Sequence, residues 1–168
     1  VAQDGTSASL TAPNGRAQEK LLRSTLVDAE MSASEVDYLE AHGTGTALGD
    51  PIEMGSAASV FGEGRLEHCP LIMGAVKANI GHLESAAGIA GLTKTVLVLQ
   101  RALAPPNPEL KSLNPKIESV VEGFPVHFPV GLESLRGHSR GDSLKAGVSS
   151  FGYAGTIAHT LVTQPLYK

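Results

Sequence analysis

An α/β fold is predicted by two features of this 168-residue chain: helical and strand-like patterns alternate along it, and three of the strand-like runs lead into glycine-bearing turns. With 42% hydrophobic and 18% charged residues, the chain has the composition of one ordinary domain with a sizeable core. Thirteen basic and 17 acidic residues give a net charge of −4 without long like-charge runs, which argues against a nucleic-acid partner. The longest apolar stretch is broken by Thr93, Lys94 and Thr95, and no basic region precedes an apolar segment at the N-terminus, so neither a membrane span nor a leader is expected. A soluble, cytoplasmic chain is the expectation. Its single cysteine, Cys69, cannot form an internal disulfide and suits a reducing compartment.

Asn14 is placed to cap a helix over about 15–29, with Ala17, Leu21, Leu22, Thr25, Leu26 and Ala29 at the spacing of one inner face. Ser32 and Glu35 have capping-box spacing, and Val36 to Glu40 then reads as a short buried strand. Asp50, Pro51 and Glu53 suit a cap, a first helical position and a reach back to the cap, so a helix is expected to start at 51. Leu71 to Val76 reads as a strand, and a long helix is expected over about 84–103. Ala86, Ala87, Gly88, Ala90 and Gly91 strip bulk from the first half of that helix, which points to close packing neighbours. The proline-rich segment 104–115 must be irregular, and residues 116–143 offer one strand around Val126 to Val130 and a polar loop. Lys145 to Ser150 and Ile157 to Thr163 read as an antiparallel pair closing the fold.

Familiar site patterns fail. The Gly43, Gly45, Gly49 spacing misses the dinucleotide fingerprint, GIAGLTKT lacks the ending of a phosphate-binding loop, and no GxSxG or HExxH occurs. No metal site is expected. What remains is three glycine-bearing loops that each follow a strand-like run: AHGTGT, KANIGH and SSFGYAGT. Glycine lets backbone approach a ligand, threonine hydroxyls can hold a polar chain, and two imidazoles can donate to one carbonyl oxygen. Such a set suits enolate chemistry.

The words EAHGTGTALGDPIE, VKANIGHLESAAGIAGL and GVSSFGYAGTIAH resemble the C-terminal half of a β-ketoacyl synthase, particularly the ketosynthase domain of type I polyketide synthases, and the resemblance covers about residues 3–162. It implies a thiolase-like fold of which this chain, residues 1–168, is one half: a mixed sheet with packed helices, incomplete without the N-terminal half. It also implies decarboxylative Claisen condensation of acyl and malonyl thioesters in polyketide or fatty acid synthesis, with an N-terminal-half cysteine as nucleophile. By motif position, His42 and His82 correspond to the catalytic histidines and Lys77 to the lysine that organises them. Thr44 and Thr46 match the threonines that bind the phosphopantetheine arm, and Tyr153 lies in the gating loop, its backbone N–H serving the oxyanion of acyl transfer. No cofactor of the chain's own is implied. The implied partners are acyl carrier protein, the missing N-terminal half and, in the full synthase, a second copy as homodimer.

There are departures. Ile157 replaces the asparagine usual in GTNAH, Ala154 replaces a glycine or serine, and Gly91 stands where some bacterial relatives carry glutamate. The family's nucleophile belongs upstream of residue 1, and Cys69, with no helix start or small-residue elbow, is read as incidental. His68, His127, His138 and His159 are read as structural. Two readings follow: a fragment or split-synthase chain completed by another half, or a non-catalytic binding or interaction module that kept the architecture. The intact DxxE cap of Asp50 and Glu53, both histidines and the lysine favour the first.

Overall fold

The computed structural model describes residues 1–5, 13–135 and 143–165; His138 and part of the polar loop around it lie outside these. A two-residue strand β1 (Ala2–Gln3) precedes α1 (Gly15–Asp28), which Asn14 caps as expected by accepting from Ala17 N–H at 3.2 Å. Leu21, Leu22 and Leu26 form its buried stripe; Ala29, expected on that face, is the exposed C-cap, while Gln18 is buried. The Ser32–Glu35 capping box closes one 3-10 turn, and the strand that follows is β2 (Tyr38–Glu40).

Helix α2 (Gly49–Phe61) starts earlier than expected. Asp50 is not its cap and Glu53 does not reach back to one; instead Thr46 Oγ1 accepts from Gly49 N–H at 3.0 Å, and both carboxylates are turned to the preceding loop. Strand β3 (Leu71–Gly74) leads into a short helix α3 (Val76–Ile80), where the sequence suggested continued strand and loop. After a 3-10 turn at Glu84–Ala86, α4 (Ala87–Arg101) starts three residues later and ends two residues earlier than expected, with its C-cap Ala102 in the left-handed region. Strand β4 (Leu103–Ala104) precedes the proline-rich loop, and Asn114 then caps α5 (Pro115–Val120), a helix the sequence reading missed. Strands β5 (Val126–His127), β6 (Glu133–Ser134), β7 (Lys145–Phe151) and β8 (Thr156–Thr163) complete the chain.

The main sheet has the order β1-β8-β7-β2-β3-β5, and β4 pairs with β6 separately. Strands β7, β2, β3 and β5 run parallel; β8 and β1 extend the sheet antiparallel, with β7 and β8 in the expected pairing from Lys145↔Thr163 to Phe151↔Ile157. Alternation along the strands divides the core. Leu39, Leu71 and Met73 join Leu22, Leu26, Met54 and Phe61 beneath α1 and α2, whereas Tyr38, Ile72 and Ala146 join Val98 and Leu99 of α4 on the opposite face. Helix α4 lies close on the sheet because it is small where it crosses: a Cβ on Gly91 would be 3.3 Å from Glu40 Cγ, and one on Gly88 would be 3.0 Å from Ser150 Oγ. Its outer side leaves Ile89, Val96 and Leu97 exposed, and Ile80 and Leu83 before it are exposed as well.

Chain order matters for the site. From β2 the chain moves outward to β3 and β5, then returns to place β7 on the other side of β2. The switch point between β2 and β7, at the carboxyl ends of parallel strands, is where an α/β sheet opens a crevice for a ligand.

His159 on β8 is one of the histidines read as structural, and it is 6% exposed, stacked over Gly147 with Nδ1 3.0 Å from Ser149 Oγ and its ring 6.1 Å from Phe61. Burial lowers its pKa to about 4. The folded form therefore keeps this imidazole neutral while the unfolded chain protonates it below about pH 6.5. Its contribution to stability is complete above that pH and is lost as pH falls toward 4, at up to about 1.4 kcal/mol per pH unit. His159→Gln is expected to reduce the slope of unfolding free energy against pH in this window, as measured by denaturant titrations; an unchanged slope would contradict the assignment.

Candidate active site

The loops after β2, β3 and β7 converge at the crevice. Residue His42 lies two positions beyond Glu40 and Ser150 two beyond Val148, so the β2–β7 register alone brings the imidazole to the third loop. The register Glu40↔Gly74 does the same for the segment bearing Lys77. Polar side chains then fix the first two of these loops.

Glu53, 5% exposed, points from α2 into the turn after β2, where its two oxygens accept from His42 N–H at 2.6 Å and Gly43 N–H at 2.9 Å. Gly43 has φ 48°, and a Cβ there would lie 2.8 Å from Ala75 Cβ, so the turn needs glycine. Asp50 Oδ1 accepts from Gly45 N–H at 3.2 Å, holding the next turn of the same loop. Asn107, from the proline-rich loop, donates to Met73 O at 3.1 Å and accepts from Ala75 N–H at 3.2 Å, continuing the pairing at the end of β3.

The histidines meet edge to face, with ring centroids 6.0 Å apart and planes at 88°. His42 Nδ1 accepts from Phe151 N–H at 3.3 Å, and His82 Nδ1 accepts from Glu84 N–H at 2.8 Å. A backbone N–H can only donate, so each Nδ1 is the bare nitrogen and each Nε2 carries the proton of the neutral ring. Gly81, at φ 80° and ψ −179°, provides the turn out of α3 that no side-chain-bearing residue adopts readily, and Glu84 at φ 50° completes the bend that returns its N–H to the imidazole. Lys77 Nζ donates to the His42 carbonyl and lies 3.5 Å from His42 Nδ1.

These contacts set the charges. Burial, then the Lys77 ammonium and His82, lower the His42 pKa to about 4, so the ring is neutral near pH 7. Burial raises Glu53 to about 7 against the pull of its two backbone donors. Burial also raises Asp50 and lowers Lys77, the latter opposed by Glu53, Glu40 and Asp50.

An open cleft of about 930 Å³ is lined by His42, His82, Thr44, Thr46, Phe151 and Tyr153 among others. The sequence-derived set is thus brought together, with two distinctions. Lys77 lies behind the cleft wall against His42, and Tyr153 stands at the exposed tip of the β7–β8 turn. The two threonine hydroxyls are 3.4 Å apart on the cleft wall. Sequence reasoning missed Glu53 as the anchor of the His42 turn, and the main-chain donors of Phe151 and Glu84, which have no side-chain signature. Ile157 is buried in β8 and also lines the cleft, an apolar surface at the position where the motif's asparagine was expected. Among the described residues, no three His, Cys, Asp or Glu side chains are grouped to hold a metal, and no helix is long and apolar enough to cross a membrane.

Comparison with known proteins finds relatives of nearly the whole chain. The family model for the β-ketoacyl synthase C-terminal domain matches residues 1–111. A phenolphthiocerol/phthiocerol polyketide synthase of Mycobacterium bovis is 49% identical over 98% of the chain, and polyketide synthase GfsA of Streptomyces halstedii is 43% identical over the same share. The ketosynthase from module 6 of the bacillaene synthase of Bacillus subtilis superposes with a TM-score of 0.89 at 33% identity over 99% of the chain. The chain spans 8% and 2% of the two synthases and 29% of the ketosynthase structure. It belongs to the β-ketoacyl synthase family and corresponds to the C-terminal ketosynthase domain.

Proposed function

We propose that this chain is the histidine-bearing part of a ketosynthase performing decarboxylative Claisen condensation, and that residues 1–168 form one domain of that enzyme. The observation that carries the reading is the pair of imidazoles at one cleft, each with Nδ1 occupied by a backbone donor. Two Nε2–H groups are left to bind one substrate oxygen.

In this reading a malonyl thioester arrives on the phosphopantetheine arm of an acyl carrier protein, with Thr44 and Thr46 binding the arm. Cleavage of its carboxyl bond releases CO₂ and leaves the electron pair as an enolate, whose oxygen receives hydrogen bonds from Nε2 of His42 and His82. The enolate carbon attacks the acyl thioester on a cysteine of the other half, forming a carbon–carbon bond as the carbon–sulfur bond breaks and the thiolate leaves. The low pKa of His42 keeps its donor neutral before reaction, so charge stabilisation rises only as the enolate forms. Lys77 acts as a positioning residue on His42, and Tyr153 N–H assists acyl transfer. Cys69 takes no part: it is buried, and its carbonyl receives Arg65 Nη1 at 3.2 Å. The exposed apolar side chains Ile80, Leu83, Ile89, Val96 and Leu97 are proposed to meet the cysteine-bearing half.

The test uses a complete ketosynthase containing this chain. His42→Ala or His82→Ala is expected to lower malonyl decarboxylation about 10²- to 10³-fold while acylation of the cysteine is largely spared. Decarboxylation at the parent rate in both variants would refute the role given to the histidines. Thr44→Val is expected to raise KM for the carrier-bound substrate with less change in kcat, because it removes binding along the arm. A fall in kcat at constant KM would place Thr44 in the chemical step instead.

A further inference from the structure

One buried carboxylate has no part in the reaction above. Glu40 on β2 is 1% exposed and lies outside the cleft lining. Strand alternation turns it, like Tyr38, toward α4. There Oε1 accepts from Val76 N–H, the first residue of α3, while Oε2 accepts from Tyr38 OH at 2.6 Å and lies 3.0 Å from Lys94 Nζ. The Lys94 side chain is itself only 11% exposed. Two glycines leave room for the group: a Cβ on Gly74 would lie 2.4 Å from Tyr38 OH and 3.0 Å from Lys94 Nζ, and one on Gly91 would press on Glu40 Cγ. A buried charge pair of this kind is a weak source of stability, since desolvation offsets the attraction, but breaking one partner is costly.

The connections run to the site from both sides. Glu40 stands two residues before His42, and the N–H it binds belongs to the residue before Lys77. Lys77 Nζ in turn reaches the His42 carbonyl, so one carboxylate ties together both ends of that contact. We propose that Glu40, neutralised by Lys94, is a positioning residue that sets the Lys77–His82 segment against His42. This inference rests on the function proposed for those residues.

In the complete ketosynthase, Glu40→Gln is expected to lower kcat for malonyl decarboxylation about 10²-fold, with KM and cysteine acylation near the parent values, because it strands the Lys94 ammonium and shifts α3. The double variant Glu40→Gln with Lys94→Met leaves no buried charge and still offers an acceptor to Val76 N–H, so it is expected to regain about tenfold or more of that loss. Equal loss of acylation and decarboxylation, with no recovery in the double variant, would mean a role in folding alone and overturn the proposal. Tyr38→Phe removes one hydrogen bond and keeps the ring; a selective decarboxylation loss of about fivefold is expected even if Glu40→Gln fails to fold, and the parent rate would count against the proposal. His42→Ala, run alongside, separates the two readings: parent activity in Glu40→Gln with an impaired His42→Ala sinks the positioning role alone, whereas parent activity in His42→Ala sinks the function.

Discussion

The main-chain pairing of β2 with both β7 and β3 is the constraint on which the site depends. Its register puts Leu39 opposite Gly147 on one side and Met73 on the other, so β2 and β3 finish together while β7 runs on beside the turn that carries His42. A one-residue slip of β2 would exchange its faces, moving Leu39 out of the core under α1 and α2 and Tyr38 and Glu40 away from α4. It would also carry His42 away from Phe151 N–H, which fixes its tautomer. The packing of the core and the chemistry of the histidine are therefore set by the same ladder.

Above that ladder, polar groups that would destabilise an ordinary interior are arranged around backbone donors. Glu53 is bonded to two consecutive N–H groups and Glu40 to one, so each carboxylate fixes the start of a functional loop. The rise of Glu53 to about 7 shows that burial outweighs those donors. This rigidity suits the mechanism. An oxyanion site works because its donors need no rearrangement as charge appears, and both imidazoles here are held from behind by main-chain hydrogen bonds.

Much of this was legible in the sequence because local signals and tertiary structure agree. Asn14 caps its helix, the Ser32–Glu35 box forms, and β7 and β8 pair as their alternation implies. The motif words singled out His42, His82, Thr44 and Thr46, which line one cleft, and Lys77, which contacts His42 from behind it. What escaped notice was set by distant partners. Asp50 and Glu53 have the spacing of a cap, but loop N–H groups recruit their carboxylates, and Thr46 Oγ1 accepts from the first N–H of the helix instead. Helix α5 follows a proline-rich stretch and is short, so its apolar pattern is too brief to register. Glu40 looked like the end of an apolar strand, and nothing local announces that Lys94, 54 residues later, neutralises it.

The central claim is that both imidazoles are held as Nε2–H donors at the cleft before substrate arrives. Nitrogen-15 NMR of the complete ketosynthase, labelled at histidine and measured at about pH 8, reads this directly. Protonated Nε2 and bare Nδ1 signals for His42 and His82 are the expected result. A proton on Nδ1 of either ring would contradict the account, because the backbone donors of Phe151 and Glu84 would then face a nitrogen unable to accept.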